Sequence, residues 1–205
     1  MDASPAENGS VRSLKAPLLA EALQNLPPDR RVVIIDMGPL RSATLKRLSE
    51  WRCRIDILNL WNDAPATASS ETRDPQRIVD EFEETLPAQA GEQADLVLCW
   101  TYLNYFSIEQ IRSLMRPLRP RLRPGGQIHA LIDSAAGDMP AIPRALIIDS
   151  EWALSWPPSE ASRRPTPRHT SDGLQGCFPD FTLERTLLLA NGQKELLLTR
   201  RGNAP

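Results

Sequence analysis

The chain has 205 residues, 41% hydrophobic and 24% charged, with a formal net charge of -2 and a pI near 5.8, which suits one globular domain with a buried core. That balance supplies no global positive field to draw the chain onto nucleic acid or an anionic membrane, so both are set aside as partners. Cys53, Cys99 and Cys177 stand far apart, form no zinc-like cluster and leave an odd thiol, which points to a reducing compartment and to no metal site.

In chain order, residues 1–13 read as a flexible tail without the basic and apolar regions of a signal peptide. No stretch approaches the roughly 18 apolar residues of a membrane span, so the expected location is the cytoplasm. LKAPLLAEALQNL then sets Leu14, Leu18, Leu19, Leu23 and Leu26 near helical spacing until Pro27 and Pro28 stop it. RVVIID is a nearly continuous β-branched run, as expected of a central strand buried on both faces. RSATLKRLSEW reads as a helix with Leu45, Leu48 and Trp51 inward, and RIDILNL as a second strand. Pro75 to Leu86 is a helix by the steps of Ile78, Val79, Phe82 and Leu86.

ADLVLCW is another buried strand. SIEQIRSLMRPL is a helix capped by Ser107 with Gln110 completing a capping box, and Pro117 and Pro120 are expected to end it. GGQIHALID is a further strand. FTLERTLLLA and KELLLTR, joined by Asn191-Gly192-Gln193, form an antiparallel hairpin. The stretch 157–176, PPSEASRRPTPRHTSDGLQG, has no apolar periodicity and reads as a long loop or lid. Alternating β and α units closed by a hairpin predict an α/β fold with a doubly wound, mostly parallel sheet.

The order of a strand ending in Asp-x-Gly, the strand ADLVLCW, the turn LRPGG into a strand, and a closing hairpin resembles the class I S-adenosylmethionine-dependent methyltransferases. The resemblance implies one Rossmann-like methyltransferase domain over residues 14–205, with the hairpin as the family's closing pair. The stretch between strands two and four holds one helix and no obvious strand, which leaves the edge third strand without a candidate. The family's glycine-rich turn E/D-x-G-x-G-x-G lets bare backbone approach the cofactor. Asp36 and Gly38 match it, whereas Leu40 and Ser42 stand in the places of the second and third glycines. Asn59, with Asp63 four residues on, holds the place of the acid that accepts the ribose hydroxyls.

The resemblance thus implies S-adenosylmethionine as cofactor, bound by Asp36, Gly38 and Asn59. It puts the acceptor, a small molecule or a protein of unknown kind, beside Trp100, Tyr102, Asn104 and Tyr105. The plainer reading packs these aromatics between helix and sheet. In-line attack on a sulfonium carbon needs positioning and demands no invariant base, so no catalytic residue is assigned. His129 reads as a buried, hydrogen-bonded strand residue and His169 as an exposed loop residue. Asp133 faces the crevice or caps the next segment. The arginines at 112, 116, 119, 121 and 123, and at 163, 164 and 168, read as solvated faces.

Two functions follow from these residues. One is an S-adenosylmethionine-dependent methyltransferase. The other is a non-catalytic methyltransferase-like domain, a protein-binding or assembly module, favoured by the substituted glycines and the missing acid.

Overall fold

A run of apolar residues with no polar alternation is stable only if both faces of its strand are covered. VVIID and ADLVLCW meet that condition in the computed structural model, where every residue of both is buried. The structure describes residues 12–39, 41–58, 74–85, 92–133, 137–149, 151–157, 162–167 and 169–202. The chain forms β1 (Arg12–Lys15), α1 (Pro17–Gln24), β2 (Val32–Asp36), α2 (Ser42–Leu48), β3 (Cys53–Ile57), α3 (Pro75–Thr85) and β4 (Ala94–Trp100). A 3-10 turn (Tyr102–Tyr105) leads into α4 (Ile108–Arg121) and β5 (Leu122–Asp133). Four short strands follow, β6 (Asp138–Pro140), β7 (Ile147–Ile148), β8 (Ala153–Trp156) and β9 (Arg163–Pro165). Last come α5 (Ser171–Gln175) and the hairpin β10 (Phe181–Leu188) and β11 (Gln193–Arg200).

Among the described residues the main sheet has the order β10-β11-β5-β4-β2-β3. β3, β2, β4 and β5 run parallel, and β11 is antiparallel to both β5 and β10. This is the doubly wound, Rossmann-like sheet with its closing hairpin, and β3 is its edge, with no further strand beyond it among those residues. One face packs Val33, Ile35, Val97, Ile128 and Leu196 against Phe82, Ile111 and Leu118 of α3 and α4. The other packs Ile34, Leu96, Leu98, Leu131 and Leu197 against α1 and Leu48 of α2. It also carries a three-stranded sheet, β1-β8-β7, and a two-stranded pair, β6-β9, lies nearby in sequence.

Several sequence expectations are corrected. Arg12 to Lys15 is a strand, because it pairs antiparallel with β8 from Arg12↔Trp156 to Lys15↔Ala153, so the first helix begins only at Pro17. Leu45 lies on the outer side of α2, 44% exposed, where Thr44 and Leu48 turn inward instead. Pro117 and Pro120 lie inside α4, which runs on to Arg121. Pro117 is buried, and its own carbonyl accepts from Arg121 Nη1 at 3.1 Å. Within 157–176 the chain places β9 and α5. The capping box on Ser107 and Gln110 forms as read.

α1 lacks a capping side chain of its own, since its N-cap is Ala16 and Pro17 has no N–H to offer. The cap comes from the sheet. Leu18 and Leu19 donate their N–H groups to the Glu195 carboxylate of β11 at 3.1 and 2.9 Å. His129 Nε2 lies 2.9 Å from the same carboxylate, and both side chains are fully buried. A carboxylate offers only acceptors, so this ring nitrogen carries the proton. Glu195 therefore welds α1 to β11 and β5 with an anion at a helix N-terminus. Glu195→Ala strands two amides and an imidazole, and should lower unfolding free energy by about 3–5 kcal/mol in urea denaturation. A loss below about 1 kcal/mol would mean the carboxylate does not hold the helix.

Candidate functional site

β2 and β4 end side by side, and their last residues meet. Asp36 is buried, 1% exposed, and its Oδ1 accepts the Trp100 indole N–H at 2.7 Å and the Gly38 N–H at 2.8 Å. Its Oδ2 is buried with no partner. Trp100 takes φ 50, in the left-handed region that a bulky residue enters only under strain, and the β4–β5 register shifts between Leu98 and Trp100. The indole lies against Gly38. A Cβ added there would meet Trp100 Cδ1 at 2.6 Å and Nε1 at 2.9 Å. The absent side chain of Gly38 is thus filled by the protein's own indole, whose other edge stands T-shaped to His129 with centroids 6.4 Å apart.

The remaining residues predicted for the site are placed differently from one another. Asn59 lies outside the described residues, as do Leu40 and Asp63. Tyr102 is fully buried in the core on the α3 and α4 face. Asn104, also fully buried, braces two strand ends: its Nδ2 donates to the carbonyls of Thr101 and Leu131 at 3.1 and 2.9 Å, and its Oδ1 accepts the Asp133 N–H at 2.9 Å. Tyr105 donates its hydroxyl to the Pro140 carbonyl at 2.9 Å. Burial lifts its phenol above the ordinary range, with nearby Asp133 adding to the shift and Arg164 and Arg144 opposing it. His129 is the buried, bonded strand histidine expected. His169 is half-buried rather than exposed, since its Nε2 approaches the Leu103 carbonyl at 3.2 Å; burial lowers its pKa, against that bond.

Of two cavities among the described residues, neither is lined by Asp36 or Gly38. One, of about 270 Å³, lies at the C-terminal ends of β4 and β5, where Thr101, Tyr105, Leu131 and Asp133 meet Arg12, Arg144, Trp156 and Arg163. The second, of about 500 Å³, is lined mainly by Phe178, Phe181, Leu196 and Leu198, with His169 and Lys194 at its walls. Of the four predicted acceptor residues, Tyr105 alone lines either cavity. Sequence reasoning missed Arg12, Arg144 and Trp156. The second arginine group carried part of the signal, because Arg163 lines the smaller cavity and Arg164 lies over the Tyr105 ring at 5.7 Å. In the first group Arg119 pairs with Asp180 and Arg123 with the buried Asp95, both at 3.0 Å.

The sheet order and closing hairpin define a Rossmann-like fold of the class I methyltransferase kind. No protein-family model matches the chain, and no curated protein matches it in sequence. Solved structures do match it in fold. The protein PH0226 of Pyrococcus horikoshii OT3 is similar with a TM-score of 0.53 at 13% identity, over 90% of this chain and 88% of that one. CalS10 of Micromonospora echinaspora, an amino pentose methyltransferase solved with S-adenosylmethionine, gives 0.50 at 13% identity over 90% and 89%. An S-adenosylmethionine-dependent methyltransferase of Clostridium acetobutylicum gives 0.50 at 10% identity over the same shares.

Asp36 gives the site a pH signature. Burial pushes its carboxyl from 3.8 up to about 6, against the bonds from Trp100 and Gly38. The folded state then holds the proton more tightly than the unfolded chain, so Asp36 favours folding in acid and loses that contribution as pH rises from about 4 to about 6. A shift of two units corresponds to about 3 kcal/mol. Urea denaturation across that window should show Asp36→Asn with a flatter pH dependence than the parent and a higher relative stability at pH 7. Parallel curves for the two proteins would count against the buried carboxylate.

Proposed function

We propose that the chain is a methyltransferase-like domain that acts as a binding module and does not hold S-adenosylmethionine at the Asp36–Gly38 turn. The observation that carries this reading is the Trp100 indole seated on Gly38, where the family's cofactor needs bare backbone. Asp36 is already engaged by that indole and by the Gly38 amide. Ser42, in the place of the third glycine, opens α2 instead of extending a loop. The residues described at the turn therefore do not fit the cofactor. Lifting Trp100 away forfeits a buried bond to a carboxylate, about 1.5–3 kcal/mol, which alone weakens any ligand needing that space by roughly tenfold or more.

A second reading, an S-adenosylmethionine-dependent methyltransferase of unknown acceptor, is favoured by the fold and by the Asp-x-Gly at the end of β2. It requires Trp100 to swing out on binding. The two readings separate in a calorimetric titration and thermal melt with S-adenosylmethionine and S-adenosylhomocysteine. A ligand at about 100 times its dissociation constant stabilises by about 2.7 kcal/mol. The binding-module reading expects neither heat nor a shift. Saturable heat with a matching rise in melting temperature would establish cofactor binding and sink it.

A further inference from the structure

The smaller cavity lies at the end of the main sheet and is walled on its arginine side by segments outside that sheet. The β1–β8 pairing sets Arg12 opposite Trp156. The β6–β9 pairing sets Arg163 opposite Pro140, whose carbonyl Tyr105 holds. Arg144 comes from the link between β6 and β7. Three guanidinium groups thus line one space of about 270 Å³. Among the described residues none of the three has a carboxylate within ion-pair distance; Arg163 donates only to the Asp138 carbonyl.

Two further donors on residues of this lining are buried without a partner, Arg144 Nε and Trp156 Nε1. Burial lowers the Arg144 pKa, and the nearby charges of Arg163 and Arg12 push it the same way, with Tyr105 opposing. Like charges held together beside unpaired donors cost free energy, which an acceptor-rich anion relieves. The planar fork of a guanidinium matches the paired oxygens of a phosphate or carboxylate. The carboxylates that line the cavity are Asp133, whose Oδ1 accepts Gln193 Nε2 at 2.6 Å, and Asp138. They suit a hydroxyl or amino group on the same ligand.

We infer that this cavity binds the phosphate or carboxylate group of a small molecule through Arg12, Arg144, Arg163 and the Trp156 indole N–H. The inference deepens the binding-module reading, for which it names a ligand class, and rests on it. The volume falls below the roughly 300–1,000 Å³ of sites for drug-sized ligands, so the ligand is small.

The test is calorimetric titration of the full chain, in a low-salt buffer without phosphate, with inorganic phosphate, glycerol 3-phosphate and succinate. At least one probe should bind saturably, and the phosphate and carboxylate arms then tell the two anions apart. Arg144→Met and Arg163→Met should each weaken that binding by roughly tenfold or more, while Arg201→Met, beside the other cavity, should not. Arg163 is exposed, so its variant carries the test if Arg144→Met fails to fold. No saturable binding of any probe, or equal affinity in the parent and the Arg163→Met protein, would overturn the inference. S-adenosylmethionine binding in the same preparation would instead overturn the binding-module reading, leaving the anion result to be judged by the arginine variants.

Discussion

Asp36 sits inside the protein at the end of β2 with one indole N–H and one amide to hold its carboxyl group. A lone buried carboxyl with so few donors keeps its proton more readily than usual and fixes whatever donates to it. Here it fixes Trp100, and it does so at φ 50, a conformation costing about 1–2 kcal/mol that only strong local contacts maintain. The same ring stands T-shaped to His129, His129 meets Glu195, and Glu195 caps α1. A continuous line of buried contacts therefore runs from the N-terminal helix to the mouth of the sheet. The indole beside Gly38 is thus held by contacts that the packing also needs.

That line separates two regions of the C-terminal edge. At the end of β2, among the described residues, the indole lies against Gly38. Beyond β4 and β5 a cavity opens, walled in part by short strands of the two smaller sheets. β1 and β9 bring Arg12 and Arg163 to it, and the link between β6 and β7 brings Arg144. In a doubly wound fold ligands gather outside the C-terminal strand ends, and the smaller cavity lies there, at β4 and β5.

Much of the scaffold was legible because its signals are local. VVIID and ADLVLCW are apolar throughout, Ser107 and Gln110 sit at capping-box spacing, and Asn191-Gly192 marks a tight turn in which Gly192 takes φ 84. The small sheets were not legible. β1, β6, β7, β8 and β9 have only two to four residues each, too short for any period to show, and the β1–β8 and β6–β9 pairings join segments distant in sequence. The cap of α1 was hidden for the same reason, since it comes from Glu195, 177 positions from Leu18. Prolines in α4 misled because they were read as breakers, whereas the helix carries both and runs on to Arg121.

The site shows the same division. Asp36 and Gly38 stand at the end of the central strand as their motif implied. The sequence named Trp100 as a neighbour of the acceptor, yet nothing local to WTYLNYF tells that its ring turns onto Gly38. That orientation depends on a bulge against β5 and on a carboxylate 64 positions away. Tyr102 and Asn104 share the same local pattern as Tyr105, and the fold sends them to the core and to a strand-end brace.

The most direct measurement of the central claim is hydrogen exchange at the Trp100 indole N–H, followed by NMR with and without S-adenosylhomocysteine and assigned through Trp100→Phe. The account predicts slow exchange and a resonance that the added nucleoside leaves in place. Exchange as fast as that of an exposed indole, or a resonance that moves saturably with the nucleoside, would contradict it, because the ring would then be a gate and not a plug.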